Sequence, residues 1–460
     1  MESSNGTAPH ADTPDIANGL NIPRSRKPRL VVIGGGFGGI HLLKELYQHR
    51  FQIVLFDRHN YHTFQPLLYQ VATAGLEADS IAGPLRKLFE PSKDFFFRWG
   101  TVYRVVPEEN KIETSLGELE YDLLVIANGT KVNYFGKDEE LKKAFPLKQI
   151  PQALNFRSHM LQCLEKATMA EPEERQRLLN FVIVGGGPTG VELAGALSEL
   201  KTHVLPNDYD ELDFSSMNIY LVEGLPRLLN GMSDKAGRLA LDYLKELDVH
   251  VMLEKLVSAY DGDVVKLSDE TEIPAKTVIW AAGVTGNLVD GLPKEAIEKG
   301  NRLKVDQFSR VKGYGNIYAI GDIALMQTEK FPKGHPQLAP VAIQQGEHLA
   351  KNLNRMVTGR PMTPFSYFDK GSMATIGRNR AVADLPGDIH IGGFPAWMAW
   401  MGVHLIFLVG FRNKLITLTN WIYNYFTYDR STRLIIRPSE KNPAFLPQEN
   451  PEEEPTQADY

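Results

Sequence analysis

The sequence predicts an α/β chain made of two copies of one strand–turn–helix–strand unit, the second inserted in the first, with an amphipathic helical segment after them. Three observations predict it. Gly34, Gly36 and Gly39 follow an apolar run and open a helical pattern; Gly185, Gly187 and Gly190 repeat that arrangement; residues 393–437 turn aromatic and amphipathic.

In order along the chain, residues 1–27 are rich in Asn, Ser, Thr and Pro and lack a continuous apolar stretch. They are read as a disordered lead-in and not as a secretory signal. Leu30-Val31-Val32-Ile33 is a strand, and Ile40, Leu43 and Leu46 recur at helical spacing after the glycines. Phe51 to Phe56 is the next strand, closed by Asp57. Pro146 to Glu174 is charged and helical in pattern and contains the crossing to the second unit. Phe181 to Val184, the second glycine turn, Val191, Ala194 and Leu197, and then Ile219 to Val222 closed by Glu223 repeat the order. Val278 to Gly283 and Ile317 to Asp322 are apolar strands ending in small residues; the latter is expected to rejoin the first sheet. Residues 438–460 are proline-rich and acidic, a composition that builds no core, and are read as a disordered tail.

At 460 residues the chain exceeds the roughly 100–200 of one domain, so two or more are expected. Fifty basic against fifty-six acidic residues give a net charge of -6, which leaves no basic field to recruit nucleic acid. The single cysteine, Cys163, excludes a disulfide framework, a dithiol redox pair and Cys-x-x-Cys zinc ligation; no metal is expected.

Gly34-Gly35-Gly36-Phe37-Gly38-Gly39 is a dinucleotide fingerprint in its meaningful context, after a strand and opening a helix. The first glycine permits the turn, the second lets backbone approach a pyrophosphate, and the third lets helix pack on strand. Asp57, followed by Arg58, stands where ribose hydroxyls are held. Gly185-Gly186-Gly187-Pro188-Thr189-Gly190 repeats the pattern, and a polar insertion at residues 207–214 delays Glu223. A carboxylate there accepts from a ribose 2′-OH and repels a 2′-phosphate, which favours NADH; Arg227 nearby argues the other way. Two dinucleotide sites in one chain suggest a resident cofactor and an exchanging substrate, most economically non-covalent FAD and NADH.

Together with Asn60 to Gln70, Tyr121 to Ala127, Trp280-Ala281-Ala282-Gly283, Ala319 to Asp322, Asp369-Lys370-Gly371 and Gly410 to Asn413, these fingerprints resemble the two-dinucleotide-binding-domain flavoproteins, and within them the type II NADH:quinone oxidoreductases. The resemblance implies two Rossmann-like domains: FAD-binding over 28–147 and 311–392, NADH-binding over 148–310, then membrane-anchoring helices over 393–437. It implies that Gly321 and Asp322 hold the flavin ribitol region, that Thr63, Val102, Ala127 and Ala339 line the FAD site, and that Ala282 and Gly283 border NADH. Glu192 is similar to the family glutamate near the nicotinamide, although an acid in a helix's early turns is also favoured by the helix dipole. Lys370 is similar to a family lysine near the flavin, with a surface salt bridge as the plain alternative. The family's Ala-Gln-x-Ala-x-Gln quinone motif aligns with Ala339 to Gln344, where Pro340 replaces the first glutamine. Ala342, Gln344 and Gln345 are the quinone-site candidates; without the family they are residues of an amphipathic helix.

Phe394 to Phe411 is apolar and near spanning length, but Pro395, Gly402 and His404 interrupt it. Phe411, Leu415, Leu418 and Ile422 then line one face, and Asn413, Thr417, Asn420 and Asn424 another. Two helices lying in one leaflet fit best; a spanning hairpin and a dimer interface are the alternatives. The expected function is a ping-pong cycle without proton pumping: NADH gives a hydride to FAD, and a membrane quinone takes two electrons and two protons. A homodimer on the cytoplasmic face of the cell membrane is expected. The rivals are a soluble NADH oxidase or ferredoxin-reductase-like enzyme and a flavin-bound signalling protein. A sulfide:quinone reductase would need the paired cysteines this chain lacks.

Overall fold

The computed structural model describes residues 20–89, 94–430 and 432–435. Most of the lead-in and all of the acidic tail lie outside the described residues. The chain divides into two units, each with its own parallel sheet.

The first unit holds the described residues up to His62, Pro84–Lys131 and Thr285–Phe368. Its five strands run parallel in the order Ile317–Ala319, Leu123–Ile126, Arg29–Ile33, Gln52–Asp57, Phe95–Trp99. The strand before Asp322 thus rejoins the first sheet, as the insertion reading requires. Both faces are covered, which is why these strands are nearly continuous apolar runs. Val31, Ile33, Val54 and Phe56 enter one core, with the antiparallel strands Val102–Val106, Lys111–Thr114 and Gly117–Glu120; Leu30, Val32, Ile53 and Leu55 enter the other, with two helices. Those helices, Phe37–Glu45 and Ala339–Val357, cross where Gly346 meets Gly38: a Cβ on Gly346 would lie 2.3 Å from the Gly38 carbonyl oxygen.

The second unit holds Thr63–Gly83, Val132–Val284 and the described residues from Asp369 on. Its parallel order is Phe145–Pro146, Thr277–Trp280, Asn180–Val184, Asn218–Glu223, Val249–Leu253. The crossing segment is the long helix Ile150–Met169, opened by a Gln149/Gln152 capping box. After the helix Pro188–Glu199 the backbone makes a π turn, Leu200–Val204, and short 3-10 turns before Asn218, which accommodates the residues that delay Glu223.

The units differ from the sequence reading in four places, and the lead-in differs as well. Residues 63–83 and 132–147 fall in the second unit: Tyr69 and Gln70 line a cavity with Glu192, and Phe145–Pro146 pairs with Thr277–Trp280. Residues 285–310 belong with the first unit, since Val289, Leu292 and Leu303 enter its core. Residues 369–392 belong with the second: in the antiparallel sheet Ser372–Thr375, Ala381–Leu385, Ile389–Gly392, the backbone at Ile376–Gly377 just after the first strand lies against Gly195 of the Pro188–Glu199 helix. Residues 20–27 are ordered and not disordered. Leu20 and Ile22 are buried, Arg98 donates to the Leu20 and Asn21 carbonyls at 2.7 and 2.9 Å, and Gln52 donates to the Pro23 carbonyl at 2.7 Å.

Candidate functional site

The two glycine turns are nearly superposable in design. Gly34 and Gly185 adopt φ of 107° and 111°, the left-handed region open to glycine, and a Cβ on either would strike the backbone at Ala127 or at Ala281–Ala282. Gly39 and Gly190 press on the preceding turn: a Cβ would lie 2.0 and 1.9 Å from the Gly34 and Gly185 carbonyl oxygens. The middle glycines differ in kind. A Cβ on Gly36 would meet only the Ala127 oxygen at 4.0 Å, and one on Gly187 would meet nothing within 4 Å. Fold therefore explains the outer glycines, and only an approaching ligand explains the middle ones. Both helices begin at these residues with no side chain capping their first amides, as an anion site requires. Both turns thus fit a dinucleotide pyrophosphate.

Each turn is tied to the carboxylate closing the next strand. Asp57 accepts from the Gly35 and His59 amides at 2.6 and 2.7 Å, and Glu223 from the Gly186 and Leu225 amides at 2.5 and 2.8 Å. Burial raises the Asp57 carboxyl above its ordinary range. Arg58 is exposed beside it. His62, which sequence reasoning passed over although it stands in the Asn60–Gln70 motif, braces the first turn. Its Nδ1 donates to the Gly35 carbonyl at 3.1 Å, its ring meets Phe37 edge-on at 5.0 Å, and burial lowers it to about 4, so it is neutral. Arg227 is committed elsewhere: it donates to the Met232 and Asn230 carbonyls, both at 3.0 Å, and pairs with Asp234 at 3.0 Å.

Elsewhere in the first unit, Asp322 sits in the short turn Gly321–Ile323 at the carboxyl end of Ile317–Ala319, with Thr130 Oγ1 3.5 Å from it. Gln345 is buried, and its Oε1 accepts from the Gly321 amide at 2.7 Å. Gln344 exchanges two hydrogen bonds with the Phe368 main chain, at 2.9 and 3.0 Å. Ala342 is buried against Gly321, and Val102 and Ala127 are buried near strand ends. Ala339 opens its helix, and Pro340 in that first turn occupies a position where a missing N–H does no harm. Thr63 and Lys370 lie in the second unit; Lys370 is exposed, with its ammonium 5.6 Å from the Phe407 ring. Ala282 and Gly283 follow the Thr277–Trp280 strand, and the Phe135 ring lies over Gly283.

Glu192 stands one turn into the Pro188–Glu199 helix and is buried. Burial pushes its carboxyl up to about 8, opposed by the Thr375 backbone N–H and the Trp400 indole. It lines a cavity of about 110 Å³ with Tyr69, Thr375, Trp400, Trp421 and Arg430. A neutral buried acid in a small, largely aromatic-walled cavity can hold a proton and release it to a neighbour. Neither Trp400 nor Arg430 was singled out from sequence as part of this cavity.

The cavity is roofed by the helices Gly393–Phe407 and Phe411–Thr427, which are separated by a bend at Gly410, φ 88°. The second helix is turned polar side in. Asn413 donates to the Ala82 carbonyl at 2.7 Å, Asn420 to Glu77 at 2.7 Å, Trp421 to Gln70 at 2.8 Å and Asn424 to the Gly75 carbonyl at 3.1 Å. Phe411, Leu415, Ile422 and Phe426 are exposed. His404, stacked on Trp400 at 4.1 Å and donating to its carbonyl, is lowered by burial to about 4 and carries no charge into the apolar run. Among the described residues no helix is long and apolar enough to cross a membrane. The spanning-hairpin alternative therefore gives way to two short helices with an outward apolar face.

Residues 28–346 match the family model described as pyridine nucleotide-disulphide oxidoreductase, and residues 370–428 match the NDH2 C-terminal domain. The type II NADH:quinone oxidoreductase Ndh of Mycobacterium tuberculosis is 35% identical over 425 residues, covering 88% of this chain and 89% of the relative. The chain belongs to the type II NADH:quinone oxidoreductases. An internal alternative NAD(P)H-ubiquinone oxidoreductase of Solanum tuberosum mitochondria, 30% identical over 89% of each chain, shows how widely this family extends. The fold agrees with that of Plasmodium falciparum NDH2, solved in complex with NADH: the TM-score is 0.81 at 22% identity, over 90% of this chain and 100% of that one. This type II oxidoreductase has no dithiol of the kind the wider family's description names. Cys163 stands alone, buried, and burial pushes its thiol up to about 11.

Proposed function

We propose that this chain oxidises NADH and reduces a membrane quinone to quinol, with FAD held non-covalently and no protons pumped. The observation that carries the proposal is the pair of glycine turns whose middle glycines stand open while their outer glycines are closed by packing. FAD, when bound, supplies a ring that takes a hydride from NADH and passes electrons to quinone. The residues do the rest. The Gly34–Gly39 turn, Asp57 and Asp322 hold FAD; the Gly185–Gly190 turn and Glu223 hold NADH by its adenosine half; Glu192 holds a proton near neutral pH where quinone reduction consumes two. Ala342, Gln344 and Lys370 belong to the proposed quinone and flavin surroundings. Gln344 reaches a quinone only by giving up its bonds to Phe368, and Gln345 supports the Gly321 turn.

The outward apolar face of Phe411–Thr427 supports a place on a membrane surface, and the cytoplasmic face of the cell membrane and a homodimer complete the proposal. Anaerobic NADH should bleach the flavin absorbance, and a ubiquinone or menaquinone analogue should restore it within the turnover time. Bleaching without quinone-driven recovery would overturn the assignment of the acceptor.

A further inference from the structure

Trp99 is the most exposed large apolar side chain described in the first unit, at 68%. Leaving an indole in water forgoes the large apolar burial such a ring normally supplies. It is also held still. Its Nε1 donates to the Arg58 carbonyl at 2.7 Å, and the Gly100 amide that follows donates to the Asp57 carbonyl at 3.0 Å. The polar edge of the indole is thereby satisfied, and its faces are left for something else.

Its place in the sheet says what. In a parallel sheet of this kind ligands lie outside the carboxyl ends of the strands. The pyrophosphate turn follows Arg29–Ile33, the ribose carboxylate Asp57 ends the next strand, and Trp99 ends the one beyond, directly opposite Asp57 in register. Two strand spacings, about 10 Å, separate the first of these from the last, the reach of an adenosine from phosphate to base. The remaining strands, Leu123–Ile126 and Ile317–Ala319, lead the other way, toward Asp322 and the flavin end.

We propose that Trp99 is the stacking platform for the adenine of FAD, so that this residue governs retention of the cofactor. The proposal rests on FAD occupying the first glycine turn. A base stacked on one aromatic face gains enough that removing the ring weakens binding roughly fivefold to a hundredfold.

The test is FAD release from the purified full-length holoenzyme, followed as flavin fluorescence gained after dilution, for wild type, Trp99→Ala and Trp99→Phe. The alanine variant should bind FAD at least fivefold more weakly, read from the fluorescence reached at equilibrium after dilution, with an unchanged melting temperature after the cofactor is removed. Phenylalanine keeps a stacking face but loses the bond to Arg58, so it should restore retention. With saturating FAD the NADH KM should not move. Equal release from the alanine variant would overturn the proposal, as would a phenylalanine variant that fails to restore retention while melting earlier, which marks a structural role. Wild-type protein that purifies without flavin would instead overturn the FAD assignment itself.

Discussion

Replacing Glu192 by Gln removes a buried acid whose carboxyl stands at about 8 in the fold and at 4.5 in its ordinary state. Below about pH 4.5 the group is neutral folded or unfolded, so it costs nothing. As pH rises the unfolded chain ionises first and the folded one resists; stability falls through that window, and the loss is complete above about pH 8. At 1.36 kcal/mol per decade the ceiling is about 5 kcal/mol, with about 3 kcal/mol already lost at neutral pH. The glutamine variant carries no such slope. Between about pH 5 and pH 9 the melting temperature of wild type relative to the variant should therefore fall by about 8–15 °C, at roughly 2–4 °C per kcal/mol for a unit of this size. Calorimetric scans at three pH values measure it. Turnover gives a second readout: wild-type kcat should decline above about pH 8, and Glu192→Gln should slow quinone reduction while leaving flavin bleaching by NADH intact. Parallel melting curves together with unchanged quinone turnover would refute the assignment of a neutral, proton-holding acid.

Three further outcomes follow from the same geometry. Gly187→Ala meets no atom, so it should fold normally and raise the NADH KM more than tenfold; Gly190→Ala, driven into the Gly185 carbonyl, should lose about 1–3 kcal/mol of stability in denaturant titration. Since Arg227 is tied to the Met232 and Asn230 carbonyls and to Asp234, kcat/KM for NADH should exceed that for NADPH by at least about tenfold, and Arg227→Ala should not close the gap. Leu415→Glu with Ile422→Glu, both on the exposed face, should leave melting unchanged and weaken co-sedimentation with lipid vesicles by about tenfold or more per residue; unaltered partitioning would remove the membrane role of this helix.

What the sequence discloses is what short-range pattern controls. Buried parallel strands announce themselves as apolar runs and glycine turns by spacing, whereas small residues follow both Thr277–Trp280 and Ile317–Ala319 and do not by themselves say that only the latter returns to the first sheet. The unit boundaries are less legible because they depend on partners distant in sequence: nothing local in Ser372–Thr375 says that the loop beyond it will settle on Gly195. The C-terminal helix makes the same point about function. Its two faces are plain in the sequence, but amphipathicity alone does not say which face turns inward. In most helices of soluble domains the apolar stripe is the buried one. Here Thr417 is fully buried and Asn413 nearly so, while Phe411 and Phe426 are the more exposed, because the segment beneath offers the Gly75 and Ala82 carbonyls, Glu77 and Gln70 instead of an apolar surface. A helix docked by hydrogen bonds to the floor it covers can present hydrocarbon outward without unfolding. The residues that fasten it, Gln70 and Trp421, also line the cavity that holds Glu192, so the lipid-facing surface and the proton-holding acid rest on the same segment of chain.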